Sequence, residues 1–393
     1  MDKITVQFAT RLRGFFKQLM SSKKISFKIL SSTRGTYETN SRIHNLKVKL
    51  VRSKLADILG IIQRINVTSD STVSIIGSYN RFLKSDKPYF IYVENPTALY
   101  HYTLGRVRSY MGKKRIKDYM QDPNLKGFVY MSKACEQTFN TLVDGQVDSL
   151  IKTQIYPLIP TNPYISESNF IIPKSPRNLN LLYISQGIRF KSKGGLEIIE
   201  AFKRIEKEYS DIQLTIVTNV ETLEEYILRD IRNYPNIILK DFKLSYDEMQ
   251  KLYAESDILL QPTSDDSCSL TILEALHSGL AFIVSSLYSI PEIVEDGING
   301  FLVEPHFWFF SKDTNLPNPD VWNHREKTIY SGQISERLTL DLISRIKTLI
   351  EDPRLLYKMK RKSWDKAQKP PFSEEYIAEQ WNNFIFKIYN ATI

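Results

Sequence analysis

The sequence predicts an α/β protein made of two doubly wound domains that face one another across a cleft. Three observations carry this. Short β-rich runs alternate with segments of helical period, the pattern of a parallel sheet covered by helices on both faces. The alternation occurs twice, interrupted by a stretch over residues 160–180 that holds Pro160, Pro163, Pro173 and Pro176 among Asn and Ser residues, a linker composition. The length of 393 residues, 42% of them hydrophobic, suffices for two domains with cores of ordinary size.

Residues 3–9 read as the first strand. The irregular loop 10–14 follows, then a helix from about Phe15. Residues 25–31, 71–76 and 88–93 read as further strands, with a helical period over 54–64. After the linker come a strand at 181–185, a helix at 195–207, a strand at 213–218, a helix at 226–232, a short strand at 237–239 and a helix at 246–255. Strands at 257–260 and 281–285 then flank a helix at 270–278. Pro291 suits a first helical turn, and residues 297–300 form a turn before a short strand. Residues 306–332 break the pattern. Their aromatic start, His306 to Phe310, is expected to pack on the domain or to cap a site. The last segment, from Phe372, opens with a capping-type start and carries Trp381, Phe384, Ile385 and Ile388 at helical spacing. The expected domains are residues 1–172 and 173–370, followed by a terminal helix at 371–393.

Composition excludes several classes. No run of 18 apolar residues occurs, so no membrane-spanning helix is expected. The N-terminus lacks the pattern of a secretory signal. Cys135 and Cys268 alone make no disulfide framework, and a cytoplasmic setting is the expectation. Charge is uneven: residues 1–172 hold 26 Lys+Arg against 12 Asp+Glu, a net +14, and the remainder holds 27 against 32, a net −5. A basic half implies an anionic partner for that half.

In open α/β sheets, ligands bind at the loops leaving the carboxyl ends of strands. Three such loops are suggestive. Residues 185–195 combine glycines with Arg189 and Lys193 ahead of a helix start, a place suited to a diphosphate, although the spacing is not that of a P-loop. Residues 261–269 place Asp266 before a helix whose first residues, Ser269, Leu270 and Thr271, present unpaired N–H groups. Glu274, one turn inside, can accept two hydrogen bonds from a ribose diol. On spacing alone, Asp265 or Asp266 could instead cap the helix, with Glu274 on the surface. The acids lack a third ligand, so no metal is expected. Residues 288–303 by themselves show only a tight helix-to-strand connection.

Together the three segments resemble the retaining glycosyltransferases of the GT-B fold, glycosyltransferase family 4. Lys193-Gly194 with residues 196–202 match the family's first motif. Asp266 and Glu274, with Glu274-Ala275-Leu276 and Ser278-Gly279, match the second, and residues 291–303 match the third. The resemblance is specific over about residues 180–305. It implies two Rossmann-like domains, with the final helix crossing back to the N-terminal one. It also implies a UDP- or GDP-sugar donor, with Glu274 on the ribose, Asp266 on the transferred sugar, Lys193-Gly194 and Arg189 at the diphosphate, and the N–H groups of Leu270 and Thr271 on a phosphate. Retention on one face of the sugar, with the leaving phosphate oxygen helping to take the acceptor's proton, makes catalysis mainly positioning and charge stabilisation.

The sequence departs from the family pattern in four places. Asp266 stands where Glu is usual, Ser267 and Ser269 replace the flanking glycines, residues 11–14 replace a Gly-Gly pair, and Glu94 stands where many members have a catalytic-region His. Glu94 is thus a third candidate catalytic residue beside Asp266 and Glu274, with capping or surface roles as alternatives.

In the basic half, Arg106, Arg108, Lys113, Lys114, Arg115 and Lys117 cluster with Tyr102, Tyr110 and Tyr119. Arg11, Arg13, Lys17, Lys23 and Lys24 form a second group. Such a surface suits a glycan, lipid-linked or other anionic acceptor and peripheral contact with a membrane. Nucleic acid is a weaker fit, and a solvated face is the plain alternative. Two rival functions share the architecture: a sugar-nucleotide epimerase, and a non-catalytic nucleotide- or glycan-binding module.

Overall fold

The computed structural model describes residues 4–10, 12–30, 50–51, 53–143, 149–172 and 178–392. Arg11, Pro173 and Pro176 therefore lie outside the described residues. The chain divides into two units, one of residues 1–159 with 370–393 and one of residues 160–369.

The first unit is built on a six-stranded parallel sheet. Its strands are β1 (Thr5–Phe8), β2 (Lys28–Leu30), β4 (Ile75–Tyr79), β6 (Tyr89–Val93), β7 (Leu125–Tyr130) and β8 (Ile151–Gln154), ordered β2-β1-β4-β6-β7-β8. A separate parallel pair joins β3 (Ile65–Val67) to β5 (Leu83–Ser85). Strand β6, Tyr-Phe-Ile-Tyr-Val, is buried along its whole length, as a parallel strand covered on both faces must be. One of its covers is the terminal helix Glu374–Asn390. Trp381 lies 5.9 Å from the Phe90 ring and 5.7 Å from Tyr92, and Phe384 lies 5.3 Å from Phe90. Ser373 stands at the cap position of this helix, but its side chain makes no cap bond.

Two elements of this unit differ from expectation. The helix expected over 54–64 covers only Lys54–Ile58, because Gly60 takes a left-handed φ of +59° and packs against the backbone of Met111. The strand expected at 71–76 lies at Ile75–Tyr79. Asp70 closes a turn ahead of it, its Oδ1 accepting from the N–H of Thr72 at 3.0 Å while its carbonyl accepts from Val73 at 3.1 Å.

The second unit holds another six-stranded parallel sheet, of β9 (Leu179–Ile184), β10 (Ile212–Thr218), β11 (Ile237–Asp241), β12 (Ile258–Gln261), β13 (Ala281–Ser285) and β14 (Gly300–Val303). Their order is β11-β10-β9-β12-β13-β14. The core on one face of the sheet is filled by Leu196, Ile199 and Phe202 of the helix Gly195–Ile205 and by Leu338, Leu342 and Ile346 of the helix Glu336–Glu351.

Residues 160–172, read as linker from composition, pack on this unit. Asn162 Nδ2 donates to the Gln250 carbonyl at 2.8 Å and to Ser278 Oγ at 2.9 Å, and Phe170 lies 5.8 Å from Trp364. The aromatic excursion also packs. Phe309 and Phe310 are buried, Phe309 stacks on Trp322 at 4.3 Å, and the Arg325 guanidinium covers both rings of that stack. Cys135 and Cys268 are free and buried.

Candidate functional site

In the second unit the chain runs from β9 outward through β10 to β11, then returns to the other side of β9 with β12. The topological switch point therefore lies between β9 and β12, where a doubly wound sheet opens a crevice beyond its carboxyl ends. The two loops that leave these strands are the Arg189–Lys193 loop and the Asp265–Asp266 loop.

The first loop can turn into its helix because of Gly194. Its φ is +82°, and a Cβ there would stand 2.6 Å from Pro262 Cγ and 2.8 Å from the Pro262 carbonyl oxygen. Glycine thus satisfies a left-handed turn and a close approach to the second loop at once. The Ser264 N–H donates to the Ser192 carbonyl at 2.8 Å, which ties the loops together directly.

This junction brings two charge pairs together. Lys193 Nζ is paired with Asp266 Oδ2, and both side chains are 13% exposed. Arg189 is paired with Asp265, whose side chain is buried, and Arg189 Nη2 also donates to the Asp265 carbonyl at 3.1 Å. Burial pulls the Arg189 guanidinium down, but the Asp265 and Asp266 carboxylates outweigh it and hold its pKa above the ordinary value. Two cations and two carboxylates thus stand at the carboxyl end of the sheet, charge-balanced among themselves.

Behind the loop, Ser269 occupies the cap position of the helix Leu270–Leu276, yet its side chain makes no cap hydrogen bond. Asp265 and Asp266 pair with the cations ahead of this helix. Leu270 and Thr271 are half-buried in its first turn. Glu274 is half-buried, and desolvation raises its carboxyl to about 7 against the partial relief of a Tyr253 hydroxyl donating to Oε2 at 2.8 Å. Ser267 and Ser269, which stand in place of glycines, are both buried, and the Ser267 carbonyl accepts from Ser289 Oγ at 2.6 Å. The excursion reaches the same loop, since the Phe307 N–H donates to Ser264 Oγ at 3.1 Å.

Two residues of this arrangement were not singled out from sequence as ligands: Asp265 in its pairing role, and Tyr253. The only signal for Tyr253 is its place seven residues after Tyr246, on one face of the helix Tyr246–Glu255.

In the first unit, the switch point lies between β1 and β4. Glu94 follows β6 and is buried. Its carboxylate accepts from the Tyr79 hydroxyl at 2.6 Å and pairs with Arg13 Nη1 at 3.3 Å, while its N–H donates to Asn80 Oδ1 at 2.9 Å. It is not a surface residue, and Asn95 stands at the N-cap position of the next helix, Pro96–Tyr100. Arg13, Tyr79 and Glu94 thus meet at the carboxyl ends of β1, β4 and β6.

The basic cluster divides. Arg108, Lys113, Lys114 and Lys117 are exposed and Arg115 is half-buried. Arg106 does not belong to that surface. It is fully buried, bonded to Asp57 Oδ1 at 3.0 Å and to the Val51 and Tyr100 carbonyls. Among the described residues, no group of three His, Cys, Asp or Glu side chains is placed to hold a metal ion, and no helix is long and apolar enough to cross a membrane.

Residues 178–307, within the second unit, match the family described as "Glycosyl transferases group 1". Among curated proteins, the chain is 30% identical over 165 residues to the glycogen synthase of Oceanobacillus iheyensis, a stretch covering 36% of this chain and 34% of that protein. It is 34% identical over 65 residues to the sulfoquinovosyl transferase of Arabidopsis thaliana, covering 16% of this chain and 13% of that protein. The chain thus spans about a third or less of the length of these curated relatives. Among solved structures, Anabaena HepE in complex with UDP-glucose is 13% identical with a TM-score of 0.59, over 99% of this chain and 100% of that one. A glycosyltransferase from Rickettsia africae gives 13% and 0.59 over 99% of each chain. The fold is the GT-B class, with two Rossmann-like domains.

Proposed function

We propose that this chain is a retaining glycosyltransferase that moves a sugar from a UDP- or GDP-sugar to a glycan or lipid-linked acceptor. The observation that carries the reading is the meeting of Arg189 and Lys193 with Asp265 and Asp266 at the β9/β12 switch point, one helical turn from Glu274. In this reading the donor diphosphate takes Lys193 and Arg189 from their carboxylates. The N–H groups of Leu270 and Thr271 hold a phosphate, and the Glu274 carboxylate accepts from the ribose hydroxyls. Asp266, released from Lys193, accepts from hydroxyls of the transferred sugar. The bond from the anomeric carbon to the phosphate oxygen breaks as the bond to the acceptor oxygen forms on the same face. The acceptor's proton passes to the departing phosphate, and the two cations carry its growing negative charge. Glu94, held by Tyr79 and Arg13, serves the acceptor side. No metal takes part.

The match of residues 178–307 to the group 1 family and the UDP-glucose complex of Anabaena HepE support a donor of this chemistry. The test is thermal stabilisation of the chain by UDP, GDP and ADP. At least one is expected to raise the melting temperature, and Glu274→Ala is expected to abolish the rise. No shift with any nucleotide overturns the donor assignment. Nucleoside diphosphate release that increases with added acceptor then separates a transferase from an epimerase or a binding module.

A further inference from the structure

The neighbours of Asp265 and Asp266 on either side are both fastened, and both fastenings lead to the excursion of residues 306–332. Ser264, just before the acids, accepts at its Oγ from the Phe307 N–H at 3.1 Å. Ser267, just after them, accepts at its carbonyl from Ser289 Oγ at 2.6 Å, and the adjacent Tyr288 stacks on Phe310 at 4.2 Å. Tyr288 holds a left-handed φ of +50°, a conformation that a bulky residue keeps only where its surroundings fix it. The excursion is in turn pinned at both ends to one buried carboxylate. Glu197 Oε1 meets His306 Nδ1 at 3.0 Å, at the entry, and accepts from the Ser335 N–H at 3.2 Å, just past the exit. A buried carboxylate is costly unless it is bonded, and Glu197 finds a partner at each end of the excursion. It stands in the first turn of the helix Gly195–Ile205, directly after the Arg189–Lys193 loop. Between its ends the excursion is cross-braced: Trp322 Nε1 donates to the Phe309 carbonyl at 2.8 Å, beneath the Arg325 guanidinium.

We propose that the excursion is a strap that sets which sugar the chain transfers, with His306 and Glu197 as positioning residues that act through the Asp265–Asp266 bend. The proposal rests on the reading of Asp266 as the contact to the transferred sugar. A single methylene separates the aspartate carboxylate from its backbone, so the hydroxyl it reaches is decided by where the bend lies. A misplacement of about 1 Å at such a contact costs on the order of a hundredfold in rate. The strap fixes the bend on both sides, at Ser264 directly and at Ser267 by way of Tyr288 and Ser289. The diphosphate side has a tie of its own, because the Ser264 N–H bonds the Ser192 carbonyl at 2.8 Å without the help of Phe307. Loosening the strap therefore disturbs the sugar contact more than it disturbs Lys193.

The test compares His306→Ala, which opens the clasp, with His306→Asn, whose amide nitrogen takes the place of Nδ1, and with Ser264→Ala, which removes the acceptor of Phe307. His324→Ala, at an exposed position of the same excursion, is the control. Each full-length variant is given UDP-glucose, UDP-galactose, UDP-N-acetylglucosamine and GDP-mannose, with release of nucleoside diphosphate as the readout, and is titrated with UDP and GDP. For the sugar that the parent prefers, kcat/KM is expected to fall about tenfold in His306→Ala and in Ser264→Ala, the effect of one lost hydrogen bond, and its lead over the other sugars is expected to shrink. Affinity for the free nucleoside diphosphate is expected to stay near the parent's. His306→Asn and the control are expected to behave as the parent does. Amide exchange over residues 262–268 is expected to quicken in His306→Ala and not in His306→Asn, a readout that needs no donor. An unchanged sugar preference in His306→Ala and Ser264→Ala overturns the proposal, as does an equal loss of affinity for nucleoside diphosphate and nucleotide sugar, or exchange that His306→Ala leaves unmoved. A parent that binds no nucleotide and turns over no sugar sinks the donor reading and the strap's role together. A parent that does both, while its variants keep its preference, sinks the proposal alone.

Discussion

Lys193 and Asp266 are paired across 73 residues of sequence at the carboxyl end of the second sheet, each only 13% exposed. The pair sets a competition in the proposed donor site, because a diphosphate must win the lysine from the carboxylate. Asp266→Asn is therefore expected to bind UDP or GDP several-fold more tightly while lowering the rate of sugar transfer. Lys193→Ala is expected to weaken nucleotide binding at least tenfold, in keeping with the loss of a charge-assisted contact of about 1.5–3 kcal/mol. Isothermal titration with the nucleoside diphosphate, beside turnover with the nucleotide sugar, reads both. Tighter binding together with faster turnover in Asp266→Asn would remove Asp266 from the sugar subsite.

Glu274 gives a pH signature. Its folded carboxyl titrates near 7 against an ordinary 4.5, so the folded chain prefers it protonated. The cost of ionising it is fully present above about pH 7 and vanishes below the unfolded value near 4.5. At about 1.4 kcal/mol per unit, it amounts to roughly 3 kcal/mol. Glu274→Gln is expected to raise the melting temperature at pH 8 and to leave it unchanged at pH 4. The same titration acts oppositely on the donor, since the ionised form is the better acceptor of ribose hydroxyls. Nucleotide affinity is expected to rise as pH increases through about 7, and a pH-independent affinity would contradict the ribose role.

Tyr253 is the lever on that titration. Its hydroxyl favours the ionised Glu274, so Tyr253→Phe is expected to move the midpoint of the nucleotide pH profile above that of the parent. Weaker binding with an unmoved midpoint would mark Tyr253 as packing only.

Gly194→Ala tests the junction of the two loops. A left-handed φ of +82° and a contact 2.6 Å from Pro262 act together, and about 1–3 kcal/mol of stability is expected to be lost. Nucleotide affinity should fall with it, because Lys193 is carried on the same turn. A denaturation midpoint equal to the parent's would show that the turn relaxes freely.

The second unit was the more legible from sequence, for a physical reason. Strands β9, β10, β12 and β13 are runs of aliphatic residues buried in a parallel sheet, and their loops carry the glycines and charges that family motifs record. In the first unit, β4 ends in Gly77, Ser78 and Tyr79, which do not read as a strand. Gly77 is there because the Phe8 ring of β1 fills the space its side chain would occupy. The helical period over 54–64 reads as one helix. Gly60 cuts it short, and its apolar stripe points outward. Lys193, Asp266 and Glu274 could be named from spacing and resemblance, but their pairing could not. The role of Asp265 as the partner of Arg189 depends on two loops meeting 76 residues apart, which no local pattern encodes. Arg106 shows the same limit in reverse: it looked like part of a basic surface, yet its guanidinium is spent inside the unit on Asp57.

The return of the helix Glu374–Asn390 to the first unit orders events during synthesis. Residues 160–369 form an uninterrupted stretch and can complete their sheet as they leave the ribosome. The earlier-made strand β6 cannot, because Trp381 and Phe384 cover Phe90 and Tyr92 and are made more than two hundred residues later. Throughout that interval Phe90 and Tyr92 lack this aromatic cover. The part of the chain translated first is the part whose core closes last.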